Sequence, residues 1–167
     1  MMYRILTGFI IVLGLTTTSL ANDIYVTQSG NTLDLDITQD GQNNTLGNST
    51  TASASTGNAF NMDIDQIGDS NVIKYQVNGA SYTGVISLTG NSNDVDLNCD
   101  STAGNSSCGT VSASITMVGS SNDLDIDIGQ TAAATGSEVT ITSAASDDSN
   151  VIAATVDGTS AILRITV

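Results

Sequence analysis

Residues 62–75 read MDIDQIGDSNVIKY. On both sides of the tetrad Gly68 to Asn71, mainly apolar positions alternate with mainly polar ones. Met62, Ile64 and Gln66 share one side and Asp63 and Asp65 the other; past the tetrad, Ile73 and Tyr75 alternate with Val72 and Lys74. A period of two belongs to an extended strand with one covered face. Glycine and asparagine at a fixed offset suit a tight turn that needs positive φ or side-chain-to-backbone bonding. The segment therefore reads as strand, turn, strand. A helix would repeat its apolar positions every three or four residues, and β-branched residues abound here where helix formers are scarce.

The same frame recurs along the chain. Gly-x-x-Asn stands at Gly41 and Asn44, Gly68 and Asn71, Gly90 and Asn93, and Gly119 and Asn122; a fifth copy, Asp147 and Asn150, has lost the glycine, and Gly30-Asn31 reads as a shortened first copy. The period is loose, shortest from Asn71 to Asn93 and longest from Asn93 to Asn122. Two, four and six positions before the successive glycines stand Gln39/Ile37/Leu35, Gln66/Ile64/Met62, Leu88/Ile86/Gly84, Met117/Ile115/Ala113 and, in the last copy, Ala145/Ser143/Ile141. Two and four positions after the asparagines stand Leu46/Asn48, Ile73/Tyr75, Val95/Leu97, Leu124/Ile126 and Ile152/Ala154.

A strand–turn–strand unit of this size cannot bury its inward face alone, but stacked copies can, with each coil about 4.8 Å above the last. The expected fold is all-β, a β-solenoid of stacked repeats. Low-complexity stretches at 49–58, 101–107 and 130–137 are expected to loop out of the coils and make the period irregular. A β-sandwich is the alternative, although it does not require one offset between glycine, asparagine and apolar positions in copy after copy. The chain ends on Leu163, Ile165 and Val167, an apolar strand edge of the kind globular proteins usually blunt.

Residues 1–21 read as a secretory signal: Arg4, an apolar run from Ile5 to Leu15, then Ser19-Leu20-Ala21, with cleavage expected before Asn22. The apolar run is shorter than the roughly 20 residues a spanning helix needs. Residues 22–167 then form a single domain, large enough for a real core. The whole chain carries a net charge of −14. Loss of the signal removes Arg4 and leaves Lys74 and Arg164 as the only bases. Such a surface repels nucleic acid and anionic membranes. Neither a nucleic-acid partner nor a membrane span is expected. Cys99 and Cys108, a close pair in an exported chain, read as a disulfide closing a loop; a metal site, the alternative, would lack further ligands, since histidine is absent.

Two of the copies carry a longer match. Gln39 to Asn44 and Gln66 to Asn71 both spell Q-x-G-x-x-N, and in this they resemble the curlin repeat of bacterial curli subunits; Gln28 and Gly30 make a contracted version. The resemblance implies an exported, extracellular β-solenoid subunit that assembles into homo-oligomeric fibres in the biofilm matrix. It also implies inward amides hydrogen-bonded in ladders along the fibre axis. On this chain the ladder residues would be Gln28, Gln39, Asn44, Gln66, Asn71, Asn93, Asn122 and Asn150. Leu88, Met117 and Ala145 replace the glutamine in the last three copies, so the glutamine line is expected to break.

Enzyme signals are nearly absent. With no histidine and both thiols expected to be oxidised, the usual acid–base and nucleophilic sets cannot be assembled. No catalytic residue and no required cofactor are expected. Asp94 and Asp96 should stack beside Asp123 and Asp125 on the next coil, and rows of like charge are destabilising unless screened or bridged. A Ca²⁺ ion could bridge them; a solvated acidic face, relieved in part by a contact between Lys74 and Asp96, is the other reading. From a different functional class, a monomeric adhesin-like or ligand-binding solenoid is the alternative to a fibre subunit.

Overall fold

A computed structural model describes residues 23–47, 50, 52–99, 108–129, 134–144 and 149–167. The expected signal segment, the expected loop at 101–107, Ala145 and Asp147 therefore lie outside the described residues. The described chain is all strand and turn: β1 (Asp23–Ile24), β2 (Thr27–Ser29), β3 (Thr32–Asp40), β4 (Thr45–Leu46), β5 (Ser53–Ile67), β6 (Ser70–Thr89), β7 (Ser92–Cys99), β8 (Thr110–Val118), β9 (Ser121–Ile128), β10 (Ala134–Thr135), β11 (Glu138–Ala144), β12 (Ser149–Val156), β13 (Gly158–Thr159) and β14 (Ile162–Thr166). Among the described residues no helix is long and apolar enough to cross a membrane.

The fold is a β-solenoid. Every strand pairing among the described residues is parallel, and each strand pairs with its counterpart one coil away. A sandwich of antiparallel sheets is thereby excluded for these residues. Two walls enclose one core. Wall A stacks β3, residues 59–67 of β5, residues 81–89 of β6, β8, β11 and β14. Wall B stacks β1 and β2, then β4 with residues 53–57, residues 70–79 of β6, β7, β9 and β12.

The long strands β5 and β6 pass from one wall to the other without leaving the hydrogen-bonded sheet. In β5 the buried positions are Ser53 and Ser55, then Phe60, Met62, Ile64 and Gln66. The parity flips at Gly57-Asn58, because the chain turns a corner there and the same interior now lies on its other side. Residues 53–58, expected as part of a loop, are thus strand. Their small inward hydroxyls make room for the Tyr75 ring on the next coil, and Ser55 and Tyr75 share a hydrogen bond of 2.5 Å. Within the third expected loop, β10 is also strand and pairs with β13.

Like side chains stack on like. Ile37, Ile64, Ile86, Ile115, Ile141 and Ile165 form one column through all six layers of wall A. Leu46, Ile73, Val95, Leu124 and Ile152 form its counterpart on wall B, opened by Ile24. Side chains in such a column meet at the strand spacing and exclude water along the whole axis. The last wall A copy corrects the sequence alignment: Ser143, and not Ala145, stands beside Met117, and Ile141 stands beside Ile115. The connection from β11 to β12 is longer by two than the one from β8 to β9. A shift of two keeps every side chain on its original face.

Of the two causes expected for the corner, side-chain-to-backbone bonding is present at the asparagines. Positive φ holds at Gly41 (φ 144°) but not at the later glycines, where close contact takes its place. A Cβ at Gly90 would overlap the carbonyl oxygen of Gly68, and one at Gly119 that of Gly90, both well inside the 3.0 Å that Cβ atoms keep from other heavy atoms. Neither residue has positive φ. Glycine is selected here by the backbone of the coil below. A second corner repeats the device on the opposite side of the solenoid: a Cβ at Gly79 would overlap the oxygen of Gly57, and one at Gly57 that of Gly30. Gly30 therefore opens this second column and is no shortened copy of the first.

Candidate functional site

The interior corner beside the first glycine column holds an uninterrupted line of asparagines. Asn44 donates its Nδ2 to Asn71 Oδ1 (3.2 Å), Asn71 to Asn93 (2.8 Å), Asn93 to Asn122 (2.7 Å) and Asn122 to Asn150 (3.1 Å). The first four are buried, with at most 2% of their surface exposed. An amide is both donor and acceptor, so one copy per coil satisfies its neighbours on both sides and the chain of bonds has a direction. The Nδ2 groups of Asn44, Asn71, Asn93 and Asn122 all point toward the C-terminal end. Backbone carbonyls at the corner take the second proton, as where Asn44 donates to Ile67 O (2.7 Å) and Asn93 to Val118 O (3.3 Å).

The glutamine line is short. Gln66 donates its Nε2 to Gln39 Oε1, and the next residues in register are Leu88 and Met117. Gln66 Oε1 is accordingly buried without a hydrogen-bond partner. Gln28 lies elsewhere: it stands on wall B beside Ser55, and its Oε1 is also buried and unpaired. The structure thus brings together seven of the eight expected ladder residues, two in one line and five in another, and separates Gln28 from both. Its contracted spacing to Gly30 belongs to the second corner, where Gly30-Asn31 recurs as Gly57-Asn58 and Asn58 donates to Asn31 Oδ1 (3.1 Å). The recurrence of that doublet at the same interval that separates Asn44 from Asn71 was the available signal.

Cys99 and Cys108 form a disulfide with Cα atoms 5.7 Å apart, both buried. It ties the last residue of β7 on wall B to the chain that leads into β8 on wall A.

The outer surface of wall B carries the acidic columns. Asp94 lies beside Asp123 and Asp96 beside Asp125, as the repeat requires. Lys74 stands beside Asp96, and its Nζ is 3.7 Å from Asp94 Oδ2 and from Asp96 Oδ2. These carboxylates are nearly half exposed, so the pairs fall within the roughly 0–1 kcal/mol of surface ion pairs. Partial burial raises the Asp125 carboxyl above the usual range; Asp127, Asp96 and Asp123 add to this, and Lys74 opposes it. Among the described residues no three carboxylates or thiols converge as metal ligands. A column of serines missed in the sequence, Ser70, Ser92, Ser121 and Ser149, borders the same face and lines a shallow groove of about 340 Å³.

The two ends of the solenoid differ from its middle. Leu163, Ile165 and Val167 are 39, 46 and 76% exposed, whereas Val139 and Ile141, one coil inside, are fully buried. Ile152, Ala154 and Val156 on wall B are likewise only partly covered, as are Leu33, Leu35, Ile24 and Val26 at the other end. Among the described residues no strand pairs with the outer edge of β14 or of β3. Among the described residues both ends are thus open sheet edges backed by a half-covered apolar layer.

Set against protein families, curated proteins and solved structures, the chain matches none. The functional reading therefore rests on the geometry of the ladder and the ends.

Proposed function

We propose that the protein is an exported, non-catalytic structural subunit of the curlin kind, building an extracellular fibre or cell-surface matrix by stacking one copy on the next. The observation that carries this reading is the asparagine ladder, which runs from coil to coil and terminates at Asn150 on an end whose apolar layer is half exposed. A further coil placed there would accept the outward amide proton, complete the sheet edge and cover the apolar column, all with geometry the chain already repeats. Self-association of this kind adds strands to an exposed edge, where main-chain bonds supply affinity and side-chain columns supply register.

The high negative charge suits such a role. It keeps copies apart during export and confines contact to the ends, where apolar area outweighs repulsion. In the matrix the acidic columns of wall B would face solvent and its counterions. Electron microscopy of the purified protein, held at high concentration with and without reductant, tests the proposal. Unbranched fibres as wide as one or a few solenoids are expected. A monomer that persists at every concentration and salt would favour a solitary binding module instead.

A further inference from the structure

The ends match each other in three respects. The first is length. Ile24 and Ile37 are the core residues of the first coil on walls B and A, and the chain between them is as long as that between Ile152 and Ile165 in the last coil. Of the intervening coils only the one from Ile73 to Ile86 is as short; those from Leu46 to Ile64, Val95 to Ile115 and Leu124 to Ile141 are all longer. The second is the corner. Gly30 and Gly158 stand at the same offset past Ile24 and Ile152, and both have φ of 158°. Within the chain this corner stacks glycine on glycine because a Cβ would strike the oxygen below.

The third is charge. The N-terminal part of wall A presents Asp34, Asp36, Asp63 and Asp65 on its outer face, with Asp36 directly beside Asp63, and no base among the described residues is paired with them. The C-terminal part presents Arg164, which pairs with Glu138. It is the sole base of wall A among the described residues, and it sits on the final strand.

We infer that a second copy docks on the C-terminal end in unbroken coil register, with Arg164 of one copy clasping Asp36 of the next. The inference rests on the fibre reading and specifies its junction. Ile165 would stand beside the next Ile37 and continue the isoleucine column; Leu163 would cover Leu35, and Thr166 would lie beside Thr38. On wall B the same step sets Ile152 beside Ile24 and Ala154 beside Val26. The apolar columns drive the contact. The charge pair makes it polar and the glycine corner fixes its register. A slip of two residues keeps the apolar faces matched and in one direction still offers Arg164 an acidic neighbour, Asp34, but it carries Gly158 off Gly30, where a Cβ would meet backbone.

The test is assembly of D36K, R164E/D36K and T38C/T166C proteins against the wild type, by light scattering and microscopy. D36K leaves the Arg164–Glu138 pair intact and relieves the Asp36–Asp63 repulsion, so the single subunit should be no less stable. It places two cations at the junction, and the concentration at which fibres appear should rise by about tenfold or more. Exchange of both charges in R164E/D36K restores opposite charges across the junction but sets residue 164 against Glu138 as a like charge, so assembly should recover clearly relative to D36K without reaching wild type. In-register neighbours have Cα atoms about 4.8 Å apart, within disulfide range, so oxidised T38C/T166C should yield covalent chains of subunits, and D40C/T166C should not. If wild type forms fibres while D36K is unaffected, or if D40C/T166C cross-links better, the junction is wrong and the fibre reading stands. If wild type forms no fibres, both fall.

Discussion

Replacement of Asn93 by alanine interrupts the asparagine ladder at its centre. Asn93 accepts from Asn71 Nδ2 and donates to Asn122 Oδ1, all three side chains being buried. The substitution leaves a buried amide proton on Asn71 and a buried carbonyl on Asn122 without partners. The Val118 carbonyl, which also accepts from Asn93, keeps the Gly90 N–H. At about 1–3 kcal/mol for each buried group left unpaired, N93A should lose about 2–6 kcal/mol, a large share of the roughly 5–15 kcal/mol of a typical domain. Asn150 ends the same ladder, and N150A deprives only Asn122 Nδ2, which keeps the Ser143 hydroxyl at 2.9 Å. Its loss should stay below about 1 kcal/mol. Urea denaturation of dilute protein, followed by circular dichroism, measures both. Equal losses for the two variants, or a loss under about 1 kcal/mol for N93A, would refute the claim that the ladder is continuous and buried.

Other consequences are open to the same assay. G90A forces a methyl against the Gly68 carbonyl, and because backbone must move it should destabilise by about 1–3 kcal/mol or more; the same change at Gly136, which has nothing near its Cβ position but a φ of 70°, should cost only the conformational strain of about 1 kcal/mol. Reduction of the Cys99–Cys108 disulfide, or its removal in C99A/C108A, should lower stability by about 2–3 kcal/mol from the closed-loop entropy and leave the β-rich spectrum intact. The Asp125 carboxyl is raised in the fold, so the folded state binds protons more readily than the unfolded chain. Its contribution to stability should therefore grow as pH falls from neutral toward about 4, and D125N should flatten that slope. A melting midpoint that falls over this range in wild type, and equally in D125N, would contradict the assignment.

What could be read from the sequence was whatever has to recur to bond with itself. Each asparagine needs another at the same place one coil on, so Asn44, Asn71, Asn93, Asn122 and Asn150 stood out despite uneven loops. Apolar alternation added the strand faces, and with them the stacking of Asp96 on Asp125 and the contact of Lys74 with Asp96. The last wall A copy was less legible because of the strand period itself. Ser143 and Ala145 stand two apart on one strand period, and only the pairing with Met117 decides between them. Residues 53–58 looked like a loop because small polar residues seldom fill a core; their role emerges only when Tyr75 is placed beside Ser53 on the next coil. The second glycine corner was hidden for a related reason. Gly57 is required by the carbonyl of Gly30, a neighbour one full coil earlier that no local turn rule describes.

The central claim is that identical columns of side chains hold parallel coils in register along one axis, within a chain and from one chain to the next. Diffraction from aligned fibres of the purified protein tests it most directly. A meridional reflection at about 4.8 Å and an equatorial one at about 10 Å are expected. The meridional line should weaken in D36K preparations and recover in part in R164E/D36K. Particles that stay monomeric, or fibres that lack the strand-spacing repeat along their axis, would contradict it.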